Sequence, residues 1–112
     1  MTECNRGDLV LVRTQLPDSE EPSLRPALVI SSETYRVGRR QLVVAAVTGN
    51  PGPLRPGDTA VGAWRDAGLL APSVVTGVVI TISDDSVARR LGSMAASDLQ
   101  SVEASLRLSL GM

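Results

Sequence analysis

The sequence predicts a mainly β fold with a C-terminal α-helix, an α+β chain whose strands curl into one small barrel-like unit. Three observations predict it. Short runs of aliphatic and β-branched residues recur at 7–13, 24–31, 41–48 and 73–82. The stretches between them are dense in Gly, Pro, Asp and Ser, residues that turn the chain. Only the last stretch carries apolar residues at helical spacing, with Leu99, Val102, Leu106 and Leu110 on one face.

The elements follow in order. Gly7 and Asp8 give a turn signal, and residues 9–13 continue as a strand apolar on both faces, as expected of a strand covered on two sides. Residues 14–24 collect Pro17, Asp18, Ser19, Glu20, Glu21 and Pro22 and predict a long exposed connection, of a length that in small domains lines or covers sites. In the strand 24–31, Arg25 is pinned by Pro26 at the mouth of an apolar run. Residues 33–40 are polar and broken by Gly38, so they read as a turn or short helical crossover. In the strand 41–48, Leu42, Val44, Ala46 and Thr48 share one face and Val43, Ala45 and Val47 the other. Residues 48–58 hold Gly49, Pro51, Gly52, Pro53, Pro56 and Gly57 and must be loop.

Residues 58–63 predict a short strand and 64–68 a helical turn closed by Gly68. The run 73–82 is the longest strand candidate, and its Gly77 predicts a bulge or bend. Asp84 and Asp85 make a turn before a last strand at 87–93. The final helix is expected from Ser97, with Ser97 and Gln100 as a capping box, because Ala95 has no side chain that caps.

The whole chain, 112 residues, predicts a single domain, 1–112, large enough to bury a core without staples. The one cysteine, Cys4, has no partner for a disulfide, and with no histidine in the chain there is no metal-ligand spacing. This composition fits a reducing, cytoplasmic setting. The N-terminus lacks the apolar core of a signal peptide, and no run is long enough to span a bilayer. A formal charge of −1 excludes a strong whole-surface attraction to nucleic acid but not a local site. Arg36, Arg39 and Arg40 form the densest basic run, readable as a phosphate track or as a solvated turn.

Two polar groups leave the core at strand ends. Arg25 opens one apolar strand and Thr48 ends the next, so neighbouring strands would bring a guanidinium and a hydroxyl to one cleft. Taken singly, Arg25 reads as a surface arginine and Thr48 as a turn-stabilising hydroxyl. Trp64 reads as a packing anchor rather than a stacking platform.

The order of motifs resembles the MazF/PemK family of toxin endoribonucleases of type II toxin–antitoxin systems. The resemblance rests on Gly7-Asp8-Leu9-Val10-Leu11-Val12, on Arg25-Pro26-Ala27-Leu28-Val29-Ile30-Ser31, on Val47-Thr48 and on Pro56-Gly57-Asp58. Trp64-Arg65-Asp66-Ala67-Gly68-Leu69, Pro72-Ser73-Val74-Val75 and Ala88-Arg89-Arg90-Leu91-Gly92 extend it over nearly the whole chain. It implies an SH3-like small barrel of the MazF/PemK/CcdB type, a homodimer, and cleavage of single-stranded RNA without metal or other cofactor, leaving 2′,3′-cyclic phosphate and 5′-hydroxyl ends. It also implies a cognate antitoxin.

Arg25 and Thr48 match the family's catalytic arginine and threonine or serine. Arg25 can clamp non-bridging phosphate oxygens with its forked donors, and Thr48 adds a hydroxyl, aided by the backbone N–H groups of Gly49 and Asn50. Arg13, Asp18 and Glu20 complete the candidate substrate-binding set, the two carboxylates also standing as candidates for the proton acceptor, since a guanidinium is a poor base. The competing expectation is a non-catalytic toxin of the same fold, a gyrase poison of the CcdB kind or a silent homologue. Fold alone does not separate the two.

Overall fold

The computed structural model of the chain describes residues 4–14, 23–49 and 52–112. Six strands and two helices follow one another as β1 (Asp8–Thr14), β2 (Ser23–Val29), α1 (Glu33–Arg39), β3 (Gln41–Thr48), β4 (Thr59–Ala60), β5 (Val74–Ser83), β6 (Val87–Ser93) and α2 (Ala96–Leu110). A 3₁₀ turn at Asp84–Ser86 separates β5 from β6. The crossover expected at 33–40 is a helix, α1, capped by the Ser32 hydroxyl accepting from the Tyr35 N–H.

The strands form one antiparallel sheet in the order β4-β5-β3-β2-β1-β6. It is strongly curved in the manner of a barrel, with β4 and β6 as its outer strands. The bend expected at Gly77 is present. The pairing of β3 with β5 runs Ala45 against Val79 but Val47 against Val75, so residues 76–78 bulge opposite Ala46 alone. The strand expected at 58–63 shrinks to Thr59–Ala60. The Gly62 and Ala63 N–H groups donate instead to the two carboxylate oxygens of Asp98 in α2, at 3.1 and 2.9 Å, and are lost to any ladder.

Alternation along the strands gives the sheet an apolar residue on each side, and each side has its own core. Leu9, Leu28, Ala45, Val47 and Val75 pack on one face with Val61, Ala67, Leu69, Met94 and the α2 residues Val102 and Leu106. On the other face lie Cys4, Val10, Val12, Ala27, Val29, Leu42, Val44 and Val87. Each fully buried Leu or Val here contributes about 1.5–3 kcal/mol of transfer free energy. Burial also raises the Cys4 thiol pKa, with the Asp8 carboxylate adding to the effect. Asp8 is itself buried, and it accepts from Ser93 Oγ at 2.8 Å and pairs with Arg90 Nε at 3.2 Å, fastening the start of β1 to β6.

Helix α2 begins one residue earlier than expected. Ala95 stands at the N-cap without a side-chain hydrogen bond, and the capping box of Ser97 and Gln100 does not set the start. The Ala95 carbonyl takes the first helical bond, from the Leu99 N–H at 2.9 Å, while Asp98 serves the 62–63 segment. Leu110, expected on the buried stripe, is exposed with Leu108 and Met112. No helix among the described residues is long and apolar enough to cross a membrane.

Candidate functional site

Arg25 and Thr48 belong to adjacent strands, β2 and β3. The ladder between these strands runs Val29 against Val44, Leu28 against Ala45 and Ala27 against Ala46. It stops at Pro26, a residue with no N–H to give. Carried on by two residues, the same register sets Arg25 level with Thr48 and on the same face. That face is the one that buries Ala27 and Val44 deeper in the sheet. Arg25 is exposed and Thr48 half-buried. A forked cation and a hydroxyl thus lie just beyond the end of one ladder, on adjacent strands, and both are groups suited to an anionic oxygen.

Thr48 sits between two fasteners, both made by the β5 bulge. Thr76 Oγ1 donates to the Ala46 carbonyl at 2.8 Å, on the approach to Thr48. Beyond Thr48, the returning loop is held by Asp58, whose carboxylate accepts from the Arg55 N–H at 2.9 Å and the Gly77 N–H at 3.0 Å. These backbone donors, Arg55 first, hold the Asp58 carboxyl below its ordinary value of about 3.8.

A depressed carboxylate pKa stabilises the folded loop above the ordinary value and loses that contribution as pH falls through the folded one. Amide-exchange protection of Gly77 and Arg55 is therefore expected to hold from neutral pH down to the ordinary carboxylate range and to drop only below it. Asp58→Ala should abolish the protection at neutral pH. Unprotected amides in the unaltered protein at neutral pH would contradict the clamp.

The other candidates from sequence are placed unevenly. Gly49 directly follows Thr48 and lines the same edge of the sheet. Arg13 is turned elsewhere: its cross-strand partner is Leu24, on the face opposite Arg25, and its guanidinium donates to the Asp85 and Val87 carbonyls at 3.3 and 3.5 Å. Asn50, Asp18 and Glu20 lie outside the described residues.

Two adjoining depressions open beside Gly49, and both are also bordered by Ala71 and Ser73. One, about 320 Å³, is walled by Leu11, Pro26, Leu69 and Leu91 with Arg89 among them. The other, about 460 Å³, extends past Ala60, Pro72 and Val74 to Trp64. Arg89 and Trp64 were not assigned to the site by the sequence reading. Trp64 does pack against the first core as expected, but it borders this depression as well. The signal available in the sequence was the single tryptophan followed directly by an arginine.

The sequence matches the family model of the PemK-like, MazF-like toxins of type II toxin–antitoxin systems over residues 5–110. No curated protein sequence matches the chain. Among solved structures it is similar to an endoribonuclease from a mycobacterial species in complex with its cognate antitoxin, at 18% identity and a TM-score of 0.78, covering 98% of this chain and 97% of that one. It is similar to MazF from Deinococcus radiodurans at 23% identity and a TM-score of 0.77, covering 97% of each chain. The toxin MazF-mt6 of Mycobacterium tuberculosis gives 22% identity and a TM-score of 0.72 over 92% of this chain and 97% of that one. At these identities the structural likeness establishes the fold, six antiparallel strands with a C-terminal helix. The family model spans nearly every residue, and on that ground the chain belongs to the PemK-like, MazF-like toxins of type II toxin–antitoxin systems.

Proposed function

We propose that this chain is a single-domain endoribonuclease toxin that cleaves single-stranded RNA, in the manner of mRNA interferases, by a metal-independent route. What supports the reading is that Arg25 and Thr48 each lie two residues beyond the last paired residues of the adjacent strands β2 and β3, in a member of this toxin family. The reaction is attack of a ribose 2′-hydroxyl on the adjacent phosphorus, with rupture of the bond to the 5′-oxygen. Its products are a 2′,3′-cyclic phosphate and a 5′-hydroxyl.

The group most in need of support is the pentacoordinate phosphorane, whose equatorial oxygens gain charge as the nucleophile adds. Arg25 clamps those oxygens. Thr48 and the N–H groups of Gly49 and Asn50 add donors from the other strand end. The 2′-hydroxyl proton passes to a carboxylate of the 15–22 segment, Asp18 or Glu20, or to water, because a guanidinium stays protonated, and the departing 5′-oxygen takes up a proton from water. Arg13, tied to the Asp85 and Val87 carbonyls, serves the fold in this scheme rather than the substrate.

A cognate antitoxin covering the cleft would silence the toxin; one structural relative was solved in complex with its cognate antitoxin and another as MazE–MazF. The protein acts in the cytoplasm as a homodimer in this reading, and the exposed Leu108, Leu110 and Met112 supply apolar surface for pairing. The test is incubation of purified protein with mixed-sequence RNA in excess EDTA, with the same sample sized by light scattering. Discrete fragments from a dimer are expected. RNA left intact by a folded protein would overturn the enzymatic reading, and a monomer at micromolar concentration the dimeric one.

A further inference from the structure

We propose that the depression between Gly49 and Trp64 is a second nucleotide subsite, in which the base next to the scissile phosphate stacks on Trp64. This rests on the ribonuclease reading and deepens it. The path from the reacting groups to the ring is direct. Thr48 faces Val74 across β3 and β5, and Val74 faces Ala60 across β5 and β4. Two inter-strand spacings, roughly 10 Å, separate Thr48 from Ala60. The Val61 N–H donates to the Ser73 carbonyl at 2.9 Å and prolongs the pairing up to the Trp64 turn. Gly49, Ala60, Val74 and Trp64 then border a single depression of about 460 Å³, within the usual range of small-molecule clefts.

The lining suits a base better than an aliphatic side chain. Trp64 and Pro72 offer flat apolar walls, whereas the neighbouring depression has no aromatic side chain and takes its larger apolar walls from leucines and Pro26. Trp64 is half-buried against the core, and the exposed Arg65 holds its guanidinium 5.0 Å from the ring centroid. That cation lies within cation–π distance of the ring in the free protein. An entering base takes its place on the ring, and Arg65 turns to the phosphate that comes with the base. Every base has a π-face, so the stack adds affinity with little sequence preference.

Trp64 is the single tryptophan of the chain, so intrinsic fluorescence reports this ring alone. The probe is a single-stranded RNA of the mapped cleavage sequence, 2′-O-methylated so that it binds without being cut and labelled for anisotropy. Titration should quench Trp64 in step with the anisotropy rise, and an abasic residue beside the cleavage point should remove the quenching. Trp64→Leu should weaken binding roughly tenfold, the size of one base–aromatic stack, and Trp64→Phe should recover most of it.

Binding by anisotropy with unchanged tryptophan fluorescence would overturn the subsite and leave the ribonuclease reading standing. An oligonucleotide that does not bind at all would likewise overturn the subsite, while the ribonuclease reading stands or falls on the cleavage assay in EDTA. Quenching by an acidic, apolar peptide but not by RNA would assign the depression to a protein partner and likewise overturn the proposal. The central readout uses the unaltered protein, so it does not depend on how well the variants fold.

Discussion

Arg25→Ala is expected to lower the single-turnover rate of RNA cleavage by about 10²–10³-fold, the usual loss for one transition-state donor. It should leave the fold intact. Arg25 is exposed, and its pairing with Val12 of β1 is made by backbone that the substitution keeps. Its removal therefore opens no cavity, and a surface change of this kind stays within about 0.5 kcal/mol in stability. Arg25→Lys keeps the charge but loses the planar fork, so it should recover only part of the rate. Thr48→Val should cost less than Arg25→Ala, because a neutral donor contributes less than an ionised one. Quench-flow rates at saturating protein, beside thermal melts of each variant, measure all of this. Full activity of a folded Arg25→Ala protein would remove Arg25 from the site.

The largest expected effect on stability is at the contact between Gly68 and Gly92. The turn that carries Trp64 is pressed against β6 so closely that a Cβ on Gly68 would lie 2.3 Å from the Leu91 carbonyl oxygen. A Cβ on Gly92 would meet the Ala67 carbonyl oxygen at the same distance. Both obstacles are backbone, which cannot swing aside as a side chain can. Gly68 also has φ +89°, outside the range that a residue with a Cβ adopts readily. Gly68→Ala should therefore destabilise the protein by about 3 kcal/mol or more, at the severe end for point changes. Gly92→Ala meets the same clash without the φ strain and should cost somewhat less. Ala67, fully buried beside this contact, would be forced out of the first core by either change. Urea titrations read the difference. Unchanged midpoints for both variants would mean that the turn does not pack on β6 as described.

Much of the fold was legible in the sequence because each strand is a run of residues that fits only a buried, pleated surface. The last strand, 87–93, and the end of β3 at Thr48 coincide with their expected limits. The bulge at Gly77 announced itself by a glycine in an otherwise unbroken β-branched run. What failed depended on distant partners. The start of α2 looked like a capping decision between Ala95 and Ser97, but the Asp98 carboxylate is engaged by a segment some 35 residues earlier. The same engagement truncated β4.

The candidate site divides in the same way. That Arg25 and Thr48 belong to neighbouring strands required only that two successive apolar strands pair, a short step from sequence. Arg13 was placed in the substrate-binding set, but the alternation of faces puts it opposite Arg25, with its guanidinium on the Asp85 and Val87 carbonyls. Trp64 was read as packing, and packing it does. Its second role depends on how β4 and β5 bring the turn beside Gly49, which local sequence does not encode.

The central claim is that Arg25 and Thr48 stabilise transfer of phosphorus to a ribose hydroxyl without a metal. Its most direct measurement is the end chemistry of fragments from a defined oligonucleotide cut in excess EDTA, read by mass spectrometry. A parallel strand should carry a single 2′-deoxy residue at the cleaved position. The account predicts 2′,3′-cyclic phosphate and 5′-hydroxyl ends from the first strand and no cut at that position in the second. Cleavage that persists at the deoxy residue, or fragments that carry 5′-phosphate ends, would contradict it.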